Sequence, residues 1–265
     1  MINRFSSIKI AQYSGLCVES FSLNKYWDAI REQITINEPF YSTEDWRCVY
    51  KVLLDPEIVL YVKVIHERRR KKGRLLSILT PSEAMKYYSS YRFLTSNNIT
   101  SPNLLFILEE RKKFIINTII IATLELRGYE SWPSFFEFRW QNKDFQFVKN
   151  SILLELSRLT AKMHGLGLYF SMDGRNIFVR SIPIEGNNNN LALIDLDHIK
   201  NTWLKKIPER RRLRNLARFK KTLQRTDGMS VSDYGTFIRD YEKCLFSFHS
   251  RKYDDSPQAI KDVIV

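Results

Sequence analysis

A chain of 265 residues has the length for one large domain or two small lobes sharing a cleft. Its 44% hydrophobic and 27% charged residues exclude a disordered tail, and its longest apolar run, Phe114 to Leu126, is broken by Asn117 and Thr118 and too short to span a bilayer as a helix. Lys and Arg number 42 against 29 Asp and Glu, and the resulting +13 attracts phosphates, nucleic acid or anionic lipid headgroups without choosing among them.

The N-terminus, Met-Ile-Asn-Arg-Phe-Ser-Ser, lacks the charged region, apolar stretch and cleavage site of a secretory signal, so a cytoplasmic protein is expected. Cys17, Cys48 and Cys244 are widely separated and have no metal-ligand spacing, which fits a reducing compartment and argues against structural zinc. Arg47 to Leu54 and Ile58 to Ile65 are rich in Val, Leu, Ile and Tyr around the turn signal Asp55-Pro56-Glu57, and read as a hairpin. Lys63 stands inside its second strand, where the ammonium either meets an anion such as a nucleotide phosphate or lies on the exposed face of an edge strand. The basic run His66 to Arg74 follows.

Thr80-Pro81-Ser82-Glu83 is a helix start, with a capping hydroxyl, a first-turn proline and an acid at the positive end. That helix is expected to run to about Thr95 and to stop at Asn97-Asn98-Ile99-Thr100-Ser101-Pro102. Glu83 is its acidic residue, either a partner for Lys63 or a simple helix-end charge. Leu104 to Glu109 and Phe114 to Leu126 are expected to form a second antiparallel pair around the charged Glu110 to Lys113 turn.

From Phe147 to Leu166 apolar residues recur at helical spacing, and Gly165 and Gly167 release the chain into a loop. His164, at that end, reads as a helix-terminal residue interacting with the last carbonyls rather than as a catalytic base. Asn176 to Arg180 and Leu191 to Ile194 are short strands on either side of the exposed loop Gly186 to Asn190. The helical period returns beyond Ser230. Strands, one helix and more strands come first and mostly helices after, which predicts an α+β chain with a sheet-rich lobe over 1–126, carrying one long helix, and a helical lobe over 127–265.

Phosphoryl transfer needs a cation on the nucleotide phosphates, oxygen ligands for magnesium and a group that orients the acceptor hydroxyl. Leu193-Ile194-Asp195-Leu196-Asp197 delivers carboxylates at the end of a buried strand, so Asp195 is either a metal ligand or a turn-capping aspartate. In the segment from His164 to Val179, Asp173 and Asn176 can both reach a phosphate or metal.

These stretches, with Tyr61-Val62-Lys63 and the basic run Arg214 to Leu223, resemble in the same order the Kdo/WaaP-type lipopolysaccharide kinases over roughly residues 45 to 245. The resemblance implies a protein-kinase-like bilobal fold and an ATP- and Mg2+-dependent phosphotransferase acting on a sugar hydroxyl of lipopolysaccharide core or a related anionic glycolipid. By position, Lys63 and Glu83 would serve the nucleotide phosphates, Glu125 and Leu126 would lie at the adenine, and Asn176 and Asp195 would bind magnesium. The basic runs would dock an anionic membrane surface at the inner face of the cytoplasmic membrane, or a phosphorylated sugar.

Two positions depart from the family pattern. Its catalytic aspartate, five residues before the loop asparagine, falls at Ser171, or at Met172 if counted from Gly167, with Asp173 adjacent; its helix glutamate falls at Tyr87. A pseudokinase of the same fold is therefore the alternative. No recognition helix, RNA-binding aromatic motif or zinc signature accompanies the charge, so nucleic acid ranks last among partners.

Overall fold

The computed structural model describes residues 3–44, 46–67, 81–137, 139, 145–184, 190–201 and 207–254. The basic stretch 68–74, Thr80, the loop residues 186–189 and Lys205 and Lys206 lie outside them. The chain divides into two compact units, Met1–Arg127 and Gly128–Val265.

The first unit is built on a seven-stranded antiparallel sheet in the order β1-β2-β6-β7-β5-β4-β3. Its strands are β1 (Phe5–Ile10), β2 (Tyr13–Val18), β3 (Tyr41–Glu44), β4 (Arg47–Asp55), β5 (Ile58–His66), β6 (Leu104–Lys112) and β7 (Ile115–Leu124). The β4–β5 hairpin forms as expected, with Asp55 Oδ1 accepting from the Glu57 amide at 2.9 Å in the turn. β7 is paired on both edges and buried along its length, which is why its sequence is apolar without alternation. The second turn is tighter than its charges suggest: Glu110, Arg111 and Lys112 continue β6, and the chain reverses at Lys113, whose φ is 58°. Solvent at the strand end accommodates those charges, so they did not need a loop.

Among the described residues this unit has two 14-residue helices, where the sequence reading expects one. α1 (Leu23–Ile36) places Leu23, Trp27 and Ile30 at i, i+4 and i+7 and buries them with Cys17, Val18, Val52, Leu60, Val62 and Phe106. β2 reaches β6 only because residue 15 is glycine, since a Cβ there would stand 1.9 Å from the Ile107 carbonyl oxygen. α2 (Glu83–Ser96) is capped by Ser82, whose Oγ accepts from the Met85 amide at 3.0 Å.

The second unit comprises β8 (Tyr129–Ser131), α3 (Trp132–Glu137), α4 (Phe145–Gly165), β9 (Leu168–Tyr169), β10 (Ile177–Arg180), β11 (Leu191–Leu193), β12 (Lys200–Asn201), α5 (Glu209–Leu223) and α6 (Val231–Asp254). β11-β10-β8 form a small sheet, and β12 pairs with β9. α4 packs on α6 so closely that a Cβ on Gly165 would lie 2.2 Å from the Phe248 ring. Among the described residues no helix is long and apolar enough to cross a membrane.

A buried ion pair ties the start of α4 to the start of α6. Lys149 Nζ donates to Asp233 Oδ2 at 3.0 Å and to the Gly228 carbonyl at 3.2 Å, while Asp233 accepts from the Ser230 amide at 2.7 Å. Lys149→Met strands a desolvated carboxylate and is expected to cost about 3 kcal/mol in urea denaturation; a loss within error of zero would mean that water reaches the pair.

Candidate functional site

In the first unit, Lys63 lies at the centre of β5 between Val49 of β4 and Ile121 of β7. The edge-strand reading of this lysine is thus excluded. Its Nζ stands 6.0 Å from the ring centroid of Tyr87, a residue only 4% exposed, so the tyrosine at the expected glutamate position presents a π face to the ammonium. Glu83, one turn earlier, pairs its Oε2 with Arg47 Nη2 at 3.3 Å. Glu125 donates its amide to the Val59 carbonyl at 2.9 Å and pairs its carboxylate with Lys51 Nζ at 3.1 Å; Leu126 beside it is half-buried.

In the second unit, the β10–β11 hairpin brings two predicted ligands to one end. Ile177 pairs with Leu193, and the Ile194 amide donates to the Asn176 carbonyl at 3.0 Å, so Asp195 follows the residue bonded to Asn176. Asn176 closes a 3₁₀ turn (Gly174–Asn176) instead of opening the strand, because Asp173 caps that turn by accepting from the Arg175 amide at 3.1 Å. Asp195 has φ 60° and ψ 53°, a left-handed conformation costly for any residue with a Cβ. Strain of this kind persists where the surroundings over-determine it, and Leu196, fully buried, anchors the next residue. An amide and a carboxylate are hard oxygen donors of the kind magnesium takes together with waters and phosphates. Among the described residues no group of three or more His, Cys, Asp or Glu could hold a metal, so the pair would need a ligand's oxygens to complete a shell.

The loop before Asn176 carries the remaining predicted residues. Met172 is fully buried and out of reach of any substrate. Ser171 Oγ accepts from Arg218 Nη1 at 3.3 Å. Asp173 receives Arg175 Nε at 3.1 Å and Nη2 at 3.0 Å, and these bonds hold its carboxyl below the ordinary range against the opposing effect of partial burial.

What the sequence did not reveal is how this loop is held. Asn215, Arg218 and Thr222 follow one another at i, i+3 and i+7 along α5, and each bonds it. Asn215 Nδ2 donates to the Phe170 carbonyl, Arg218 to Ser171, and Thr222 Oγ1 donates to the Met172 carbonyl at 3.1 Å while accepting from the Gly174 amide at 3.3 Å. Asn215 Oδ1 meets His164 Nε2 at 2.9 Å, and His164 Nδ1 meets Tyr241 Oη at 2.8 Å. With Asn215 Nδ2 committed to Phe170, Oδ1 must accept from His164 Nε2–H, which leaves Nδ1 to accept the tyrosine proton. His164 therefore bonds side chains, not the helix carbonyls expected of it. Burial pushes it down to about 4, against the Asn215 acceptor and with the Arg212 charge, so it is a neutral strut.

The family model described as "Lipopolysaccharide kinase (Kdo/WaaP) family" matches residues 44–241. The chain belongs to that family. A search of curated proteins returned no match. Among solved structures, "WaaP in complex with acyl carrier protein" is similar with a TM-score of 0.60 at 16% identity, over 84% of this chain and 90% of that one. A glucosamine kinase in complex with glucosamine, ADP and inorganic phosphate gives 0.44 at 9% identity over 95% and 83%, and a MAP kinase from Leishmania major 0.38 at 17% over 83% and 66%. The α+β, protein-kinase-like fold implied by the sequence resemblance is the fold of this Kdo/WaaP-family chain.

Proposed function

We propose that this protein is an ATP-dependent phosphotransferase that phosphorylates a sugar hydroxyl of lipopolysaccharide core, or a related anionic glycolipid, at the inner face of the cytoplasmic membrane. The juxtaposition of Asn176 with the strained Asp195 at one hairpin end carries this reading. Asn176 and Asp195 hold magnesium, which when bound neutralises charge on the nucleotide phosphates. In the first unit, Lys63 would serve nucleotide phosphates as a cation, Glu83 pairs with Arg47 of β4, the strand next to the one that carries Lys63, and the Glu125–Leu126 backbone would lie at the adenine. The sugar oxygen attacks the γ-phosphorus as the bond to the β–γ bridging oxygen breaks and ADP leaves. Asp173 takes the hydroxyl proton, with Ser171 beside it to orient the acceptor.

The second reading is a pseudokinase that binds nucleotide or a partner without transfer. It is favoured by the burial of Met172 and by Arg175, whose grip on Asp173 weakens that carboxylate as a base.

Calorimetry with Mg-ATP, and transfer of labelled phosphate from ATP to deacylated core oligosaccharide, decide between them. The expected result is nucleotide binding by the wild type and turnover that falls about 10²- to 10⁴-fold in Asp173→Asn. Binding without turnover selects the pseudokinase, and the absence of nucleotide binding removes both readings.

A further inference from the structure

The basic run of α5 does not act as a single patch. Arg212 is half-buried, with its charge at His164 and Tyr241, and Lys220 Nζ lies 5.7 Å over the Tyr234 ring. The other five cations, Arg210, Arg211, Arg214, Arg218 and Lys221, are all exposed. At 3.6 residues per turn they fall within about 100° of the helix circumference. The only acid on α5, Glu209, is outside that arc. The stripe borders the ridge of Asn215, Arg218 and Thr222 that holds the 170–174 loop, and Arg218 belongs to both.

We infer that this stripe is a binding site for the phosphate groups of the saccharide acceptor, and that Arg218 sets the end nearest the reacting hydroxyl. This rests on the proposed kinase activity and specifies its acceptor side. Charge complementarity selects an anion. The hydrogen bond from Arg218 to Ser171 puts that anion beside the loop that carries Asp173.

A membrane-surface helix would combine such a stripe with apolar side chains free to enter the lipid. Here Leu216, Phe219 and Leu223 are buried in the unit's own core. Leu213 is the one large apolar side chain of α5 that is exposed, and it falls about 60° outside the Arg210 edge of the stripe, a single leucine and not an apolar face. A soluble anionic glycan satisfies the stripe, whereas a bilayer would leave it without an apolar anchor.

The test uses the full chain and three titrations: Mg-ATP, deacylated core oligosaccharide carrying its phosphates, and the same oligosaccharide after phosphatase treatment. Arg214→Gln with Lys221→Gln removes two stripe cations that make no bond to the loop. Lys220→Gln with Arg239→Gln removes the same charge from other exposed positions. The stripe variant is expected to weaken the phosphorylated oligosaccharide about tenfold, with a shallower dependence of Kd on salt, while Mg-ATP binding stays at the wild-type value. The charge-matched control and the dephosphorylated glycan are expected to show no such change.

Equal weakening by the control, or an unchanged Kd in the stripe variant, overturns the inference. So does a stripe variant that loses binding to vesicles containing phosphatidylglycerol yet keeps the oligosaccharide, since the stripe would then be a membrane anchor. Any of these results with intact Mg-ATP binding counts against the stripe alone, whereas loss of nucleotide binding by the wild type counts against the kinase reading.

Discussion

Asp195→Gly is expected to abolish magnesium-dependent nucleotide binding while yielding a protein more stable than Asp195→Ala. Both substitutions remove the carboxylate, and with it the charged ligand of the Asn176–Asp195 pair, so the binding heat with Mg-ATP disappears in each and any turnover falls at least about a thousandfold. They differ in backbone energy. At φ 60° and ψ 53° an alanine keeps the Cβ clash that aspartate bears, and glycine does not. Glycine's larger unfolded-state entropy offsets part of that relief, leaving an advantage of about 1 kcal/mol. Urea denaturation of the two variants side by side measures it. An alanine variant as stable as the glycine variant would mean that the left-handed turn is not a source of strain. Retained magnesium dependence in either would remove Asp195 from the site.

Acidification is expected to destabilise the second unit through His164. Burial lowers this imidazole from its ordinary 6.5 to about 4, so the fold favours the neutral ring. The associated stability is complete above pH 6.5, drains as pH falls and is lost once the folded ring itself protonates near pH 4. The gap between those values corresponds to about 3 kcal/mol. Protonation also destroys the bond pattern, because Nδ1 can no longer accept from Tyr241 and the Asn215 link to the Phe170 carbonyl is disturbed. In His164→Gln that titration is absent. Unfolding free energies at pH 7 and pH 4 should therefore diverge, with the wild type losing about 3 kcal/mol more than the variant, which other carboxylates affect equally. Parallel pH profiles would show that the ring is solvated in the folded protein.

The elements legible in the sequence were those with a local signal. The β4–β5 hairpin has β-branched strands around a proline turn, α2 has a capping serine, and α4 has an unbroken helical period. β1, β2 and α1 were not read: Ala11 turns the first hairpin at φ 48° without the usual glycine or asparagine, and β2 finds its partner in β6, some 90 residues later. At the site, the strands delivering Asn176 and Asp195 were legible because a carboxylate ends a buried apolar run. The loop's fastening was not, since Asn215 and Thr222 sit within a basic run whose spacing does not show what the polar residues between the charges bond. Lys63 was ambiguous for the same reason, and only the pairing of β5 on both sides settles its place in the sheet.

The family's shared region begins at residue 44, yet Cys17, Val18, Leu23, Trp27 and Ile30 are integral to the core beneath β5 and β7. The alignment boundary is therefore not a folding boundary. Sequence upstream of it packs into the same core, so a bulkier Trp27 neighbour or a shortened first helix would have to be matched by changes in Val62, Phe106 or Ala122.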